Sequence, residues 1–116
     1  MCIRLTTHLV DIYDGDEEPM IYHGGTWTSK VSLRDICQVI AKYAFQTSPY
    51  PVIISAEVHC GLKQQDKLVD IILEVFKDSI VQAPVDGRPK IETLPSPDAL
   101  KYKFLLKVFL HYDCCF

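Results

Sequence analysis

The sequence lacks three features that would place it in a common functional class: a long apolar run, an excess of basic residues and a paired set of cysteines. No stretch approaches the roughly 18 consecutive apolar residues of a membrane-spanning helix. The formal net charge is −3, from 12 basic and 15 acidic side chains, so no basic surface for nucleic acid is predicted. The apolar part of residues 1–5 is too short for a secretory signal. We therefore expect a cytoplasmic protein with no transmembrane segment and no nucleic-acid partner.

The cysteines and the chain length limit the fold further. The five cysteines do not suit a disulfide framework, because their number is odd and their spacings are irregular. Reduced thiols are expected, as in other cytosolic chains. The chain also lacks internal repeats and low-complexity segments. Its 116 residues suffice for one small domain, but a complete (β/α)8 barrel takes about 250 residues.

The chain does contain an alternation of strand-like and helix-like segments. Ser32 can cap a helix, with Asp35 in the capping-box position, and apolar residues recur behind it with helical spacing as far as Ala44. A second helix is predicted at about 63–78. Strands are predicted at 9–13, 20–23 and 52–56, and a last strand begins at 103 and ends at either 107 or 110. A short helical turn is predicted at 96–98. Strands separated by helices indicate an α/β fold with a mainly parallel sheet.

Five side chains that can carry chemistry lie near the predicted ends of strands: Asp11, Asp14, His23, Glu57 and Lys107. Functional groups gather at the carboxyl edge of parallel sheets. A carboxylate within an apolar strand, as at Asp11, is costly unless it is paired or binds a cation, and its oxygens suit Ca²⁺. Glu57 is either a second ligand or a solvated acid, and Asp14 either a third ligand or a turn residue. His23 is either a general acid–base group or a hydrogen-bonded strand-end histidine.

Three other groups are not predicted to be functional. The pair His59-Cys60 and the tail 111–115 contain possible metal ligands, but their spacings match no zinc-binding pattern. The acidic run at 16–18 is predicted to be a solvated loop.

Short motifs over most of the chain resemble, in the same order, the X region of eukaryotic phosphoinositide-specific phospholipase C. They include Val10-Asp11-Ile12-Tyr13-Asp14-Gly15, Ser48-Pro49-Tyr50-Pro51 and Leu105-Leu106-Lys107. Further matches lie at 18–24, 28–30, 43–45, 52–55, 57–60, 64–65 and 94–97. The resemblance implies part of a TIM-type (β/α) barrel, the X half only. It also implies three segments: a non-matching N-terminus at 1–9, a partial X domain at 10–107 and a non-matching tail at 108–116.

The resemblance also implies a reaction. In this family Ca²⁺-dependent phosphodiesterases cleave phosphatidylinositol 4,5-bisphosphate to diacylglycerol and inositol trisphosphate, in lipid metabolism and signal transduction. Carried over by position, Asp11 and Glu57 are the expected Ca²⁺ ligands. His23 is the expected catalytic histidine, which stabilises the transition state and protonates a leaving oxygen. Lys107 is expected to contact an inositol phosphate. The implied partners are phosphoinositide lipid, reached by peripheral membrane association, and the Y half of the barrel.

Several positions depart from the family pattern. The family's further Ca²⁺-ligating glutamate falls on Leu9, an asparagine falls on Val58, and a second lysine falls on Phe109. The family's Ser-His-Asn segment and Y half have no counterpart. We therefore expect an incomplete calcium site, little turnover by the chain alone, and a truncated or misassembled gene product. The alternatives are a non-catalytic lipid- or protein-binding module and a fragment that does not fold stably.

Overall fold

The computed structural model of the chain describes residues 6–21, 30–82 and 96–110. These residues form five strands and two helices. In chain order they are β1 (Thr6–Tyr13), β2 (Met20–Ile21), β3 (Val31–Ser32), α1 (Leu33–Tyr43), β4 (Val52–Val58), α2 (Leu62–Phe76) and β5 (Phe104–Leu110). A single 3₁₀ turn, Lys77–Ser79, follows α2.

The strands that the structure describes form one sheet in the order β3-β2-β1-β4-β5. The three long strands are parallel, with Ile12 opposite Val58 and Val58 opposite Leu110. The short strands β2 and β3 pair antiparallel at the β1 edge. The connection from Tyr13 to Met20 is too short for a crossover, so the chain returns antiparallel there. The prediction of an α/β fold with mainly parallel strands is confirmed for the long strands.

Both helices begin at the predicted residue or within one residue of it. The Ser32 side chain accepts a hydrogen bond from the backbone N–H of Asp35 at 3.1 Å, which caps α1. Helix α2 begins one residue before the predicted start and passes into the 3₁₀ turn at Lys77. The predicted turn at 96–98 is also present, because Ser96 accepts from the backbone N–H of Ala99 through both its carbonyl and its hydroxyl oxygen.

One face of the sheet packs against both helices. Apolar side chains of this face alternate along the strands, as expected for strands with one face in a core. The core consists of strand residues Val10, Ile12, Val52, Ile54, Ala56, Val58 and Phe104 and helix residues Leu33, Cys37, Leu68, Ile71, Ile72 and Phe76, with Cys60 and Ile80 at its margin. The opposite face, which we call the open face, carries residues of the other parity and no described helix.

Two predicted strands differ from the structure by two or more residues at one end. Strand β1 begins at Thr6 rather than Leu9, because the polar residues 6–8 pair through their backbone with 52–54. Strand β4 continues past the predicted end at Ala56 to Val58. The predicted strand at 20–23 is described only for Met20–Ile21, and the predicted polar loop at 84–95 lies outside the described residues.

Candidate functional site

Asp11 and Glu57 lie side by side on the open face of the sheet. They are register partners on the adjacent parallel strands β1 and β4, so both side chains leave the sheet in the same direction. Together with His59 they form a group whose possible ligand atoms all lie within 4.8 Å of one another. All three side chains are partly buried. The structure therefore brings together the two carboxylates that the sequence predicted as cation ligands.

His59 is the member of this group that the sequence did not predict. Its backbone N–H donates to the carbonyl of Ile12 at 2.8 Å, which extends the β1–β4 ladder one residue beyond β4. Its ring stacks on Tyr13, with centroids 4.5 Å apart and planes 4° from parallel. Its Nε2 lies 3.4 Å from Oε1 of Glu57. The signal in the sequence was the spacing of two between Glu57 and His59, which places both on one face of an extended chain.

The neighbours of Glu57 and His59 face the other way. Val58 is only 2% exposed and belongs to the core, so the family's asparagine position contributes nothing to the open face in this chain. Cys60 is a buried free thiol. Burial, together with the charge of Asp14, raises the pKa of Cys60 to about 11, so this thiol stays protonated at neutral pH in the free chain.

Asp14 has a structural role. Its carboxylate accepts hydrogen bonds from the backbone N–H of Gly61 at 3.1 and 3.3 Å. The next residue, Gly15, donates from its N–H to Oε1 of Gln64 at 3.0 Å and accepts from Nε2 of the same side chain at 2.6 Å. These contacts hold the loop after β1 on the first turn of α2. Asp14 is not a member of the cation-ligand group that the described residues form.

The acidic run at 16–18 is attached to the helices by basic side chains. Arg34 of α1 contacts Glu18 at 3.2 Å and Glu74 of α2 at 2.5 Å. Hydrogen bonds to these two carboxylates raise the pKa of the Arg34 guanidinium further above its ordinary value. Lys67 of α2 donates to the backbone carbonyl of Glu17. The loop beside the carboxylate group is thus fixed on its helical side.

Lys107 lies on the open face but one strand away from Glu57. Its register partner on β4 is Ser55, and the partner of Glu57 is Phe109. The Lys107 ammonium lies 4.8 Å from the centroid of the Phe109 ring, so this side chain extends along β5 toward the level of Glu57. Phe109 is 48% exposed. His23, the predicted catalytic residue, lies outside the described residues.

The donor set has a defined cation preference. Two carboxylates give a partly buried negative charge that a divalent cation would offset. Calcium takes six to eight oxygen ligands, and the described residues supply two oxygen-bearing side chains of that kind. Leu9, the preceding residue of β1 on the same face, is 68% exposed and supplies no ligand. The group suits a divalent cation in charge, while the described residues supply only part of a calcium shell.

The described residues form an α/β domain, and the group of two carboxylates and one imidazole lies at the carboxyl end of its parallel strands. The family model for the phosphatidylinositol-specific phospholipase C X domain matches residues 8–109. The chain belongs to this family.

Named relatives and solved structures agree with this assignment. The chain is 46% identical over 99 residues to the 1-phosphatidylinositol 4,5-bisphosphate phosphodiesterase delta-4 of Xenopus laevis, covering 84% of this chain and 13% of that protein. It is 46% identical over 99 residues to the zeta-1 phosphodiesterase of Homo sapiens, covering 84% and 16% respectively. The crystal structure of S. officinalis PLC21 matches with a TM-score of 0.77 and 38% identity, over 87% of this chain and 13% of that one.

The L. pealei PLC21 crystal structure matches in the same way, with a TM-score of 0.76 and 36% identity, over 87% of this chain and 13% of that one. The chain thus spans a small part of the length of its relatives. No helix among the described residues is long and apolar enough to span a bilayer.

Proposed function

We propose that this chain supplies the X-region part of a phosphoinositide phospholipase C, which cleaves phosphatidylinositol 4,5-bisphosphate to diacylglycerol and inositol trisphosphate. The observation that carries the proposal is the pairing of Asp11 and Glu57 on the open face, within a segment that matches the X domain. The names of its delta-4 and zeta-1 relatives contain the same substrate, phosphatidylinositol 4,5-bisphosphate. The division at residues 10 and 107 remains a prediction.

The architecture we propose is part of a TIM-type (β/α) barrel. In such a barrel the strands form the inner wall and the helices lie outside. Three parallel strands with both described helices on one face support this arrangement. The open face would then point into the barrel, and the Y half would complete the wall beyond it.

In the proposed reaction each predicted residue has one role. Asp11 and Glu57 would hold Ca²⁺, which when bound lowers the pKa of the attacking inositol hydroxyl and offsets negative charge on the phosphate. His23 would transfer a proton to the leaving oxygen. Lys107 would pair with an inositol phosphate of the lipid at the membrane surface. The protein would reach this lipid by peripheral association.

A reconstitution assay tests the proposal. The chain is mixed with the remainder of the delta-4 relative, and inositol trisphosphate is measured with and without Ca²⁺. We expect calcium-dependent release from the mixture, loss of release with His23→Ala, and little release from the chain alone. The relative's own X region serves as the positive control. If that control restores release and this chain does not, the proposed activity is wrong.

A non-catalytic lipid-binding module is the second candidate. The observation in its favour is Leu9, which lies two residues before Asp11 on the open face and is 68% exposed. An apolar side chain there replaces an oxygen ligand that the family resemblance predicts. Binding of the mixture to phosphoinositide vesicles without any release of inositol trisphosphate would favour this function.

A further inference from the structure

The group formed by Asp11, Glu57 and His59 contains a nitrogen ligand as well as two carboxylates. It joins two carboxylates and one imidazole from adjacent strands, and their possible ligand atoms lie within 4.8 Å of one another. Ligand atoms around one small cation at about 2.0–2.2 Å are about 3.4 Å apart. Small rotations of the side chains are therefore enough to bring all three onto a single ion.

The backbone places the imidazole in position to act as a ligand. The hydrogen bond from the His59 N–H to Ile12 fixes the residue at the end of the ladder, and stacking on Tyr13 limits rotation of the ring. The Nε2 atom faces Glu57 at 3.4 Å. Preorganised ligands of this kind lose little side-chain freedom when an ion binds.

The donor types select a class of ion. Calcium prefers oxygen ligands in a shell of six to eight, and an imidazole nitrogen does not serve that preference. Zinc binds histidine nitrogen together with Asp or Glu oxygen in sites of about four ligands. Leu9, next along β1 on the open face, offers no further oxygen.

We propose that Asp11, Glu57 and His59 form a binding site for Zn²⁺, with water in the remaining position, and that this site binds Zn²⁺ more tightly than Ca²⁺. The two ions share Asp11 and Glu57, so Zn²⁺ excludes Ca²⁺ from them. The proposal does not depend on phospholipase activity. It depends on the ligand geometry alone.

Titration of the whole chain with zinc chloride and calcium chloride tests the site, with cysteines kept reduced and affinities measured by calorimetry. His59→Gln is expected to weaken Zn²⁺ binding by about tenfold or more, on the scale of measured effects at metal sites, and to leave Ca²⁺ binding unchanged. His8→Gln is the matched control, because His8 lies on the same strand as Asp11 but at its other end. That control is expected to bind Zn²⁺ as the unmodified chain does.

A direct readout separates this site from zinc bound by cysteine thiols. The imidazole nitrogen resonances of His59 are expected to shift on addition of one equivalent of Zn²⁺. Unchanged Zn²⁺ affinity in His59→Gln, or an unshifted His59 resonance at saturation, would show that His59 and Glu57 form only an ion pair and would overturn the proposal. If circular dichroism shows that His59→Gln does not fold, Asp11→Asn replaces it and must remove both the affinity and the shift.

Failure of the reconstituted hydrolysis would bear on the proposed function and not on this site. Hydrolysis that proceeds normally while Zn²⁺ fails to bind would overturn the zinc site and leave the proposed function intact.

Discussion

Asp11 and Glu57 face the same side of the sheet because they are register partners in parallel strands. In a parallel pair, aligned residues project in the same direction, and a shift of one residue would send one of the two side chains into the core. The next residues along the two strands, Ile12 and Val58, are also register partners, and both project into the core, where they are 1% and 2% exposed. The alternation along β1 and β4 thus separates the face that carries the two carboxylates from the packing face.

This relationship predicts that Ca²⁺ stabilises the chain only while both carboxylates are present. At a Ca²⁺ concentration ten times the dissociation constant, binding would raise the free energy of unfolding by about 1.4 kcal/mol. Asp11→Asn or Glu57→Gln is expected to remove that increment. Urea unfolding with and without Ca²⁺ measures it.

Asp66→Asn is the control for this prediction, because Asp66 is an exposed acid on α2, away from the open face. It should keep the full Ca²⁺ effect. An equal response in Asp11→Asn and Asp66→Asn would mean that the ion binds elsewhere.

Patterns within short stretches of sequence predicted helix α1 and strand β4. Helix α1 follows from the Ser32 cap and an apolar spacing that reaches Ala44, and it ends at Tyr43. The unbroken apolar run that begins at Val52 predicted β4, because such a run is typical of a strand in a parallel sheet. Asp11 and Glu57 stood out because acids are rare within such strands.

What the sequence could not predict depends on pairing between distant segments. The polar residues 6–8 extend β1 only because β4 lies beside them. His59 joins the carboxylates only because its backbone continues the ladder to Ile12. Val58 matters little to the open face because the pleat turns it into the core. Spacing along one strand suggests which residues share a face, but the register between strands decides which groups meet.

Two glycines that lie in or beside the loop after β1 are expected to respond differently to replacement by alanine. A Cβ atom on Gly15 would lie 2.1 Å from the carbonyl oxygen of Glu18 and 2.4 Å from Cγ of Met20. Gly15→Ala is therefore expected to lower the free energy of unfolding by about 1–3 kcal/mol, the usual cost of overpacking. Urea denaturation followed by circular dichroism measures the change.

Gly61→Ala is the matched control at the start of α2. The nearest atom to an added Cβ there is Oδ2 of Asp14 at 3.8 Å, and the residue has an ordinary φ of −67°. We expect a change within about 0.5 kcal/mol. Equal losses at the two positions would contradict the packing described for this loop.

The buried thiol of Cys37 predicts a loss of stability at alkaline pH. Burial raises the pKa of Cys37 to about 12 from an ordinary value of 9.0, against a smaller opposing effect of the Arg34 charge. The folded state therefore keeps a proton that the unfolded state releases. This contribution is complete below pH 9 and is lost as the pH rises toward 12, by up to about 1.4 kcal/mol per pH unit.

Urea midpoints at pH 8 and pH 10.5 measure this loss, and Cys37→Ala is expected to show a smaller decrease than the unmodified chain. A lower stability of the Cys37→Ala chain at both pH values does not affect the comparison, which uses the difference between the two midpoints. An identical decrease in the two chains would contradict a buried, protonated Cys37.

Lys107 predicts how the open face responds to anionic lipid. Its ammonium lies on the same face as Glu57 and is exposed, so it is available to a phosphate group. Each basic residue near an anionic surface contributes about 1 kcal/mol. Lys107→Ala is expected to weaken binding to vesicles containing phosphatidylinositol 4,5-bisphosphate by about fivefold, measured by sedimentation at low ionic strength.

The control for Lys107 is Lys42→Ala, which removes the same charge from the last turn of α1. Because α1 packs on the core face of the sheet, Lys42 is remote from the open face, and its removal should leave vesicle binding nearly unchanged. Equal weakening by the two substitutions would show that net charge alone governs binding. A decrease confined to Lys107→Ala, which disappears with vesicles that lack the bisphosphate, would place the lipid headgroup on the open face.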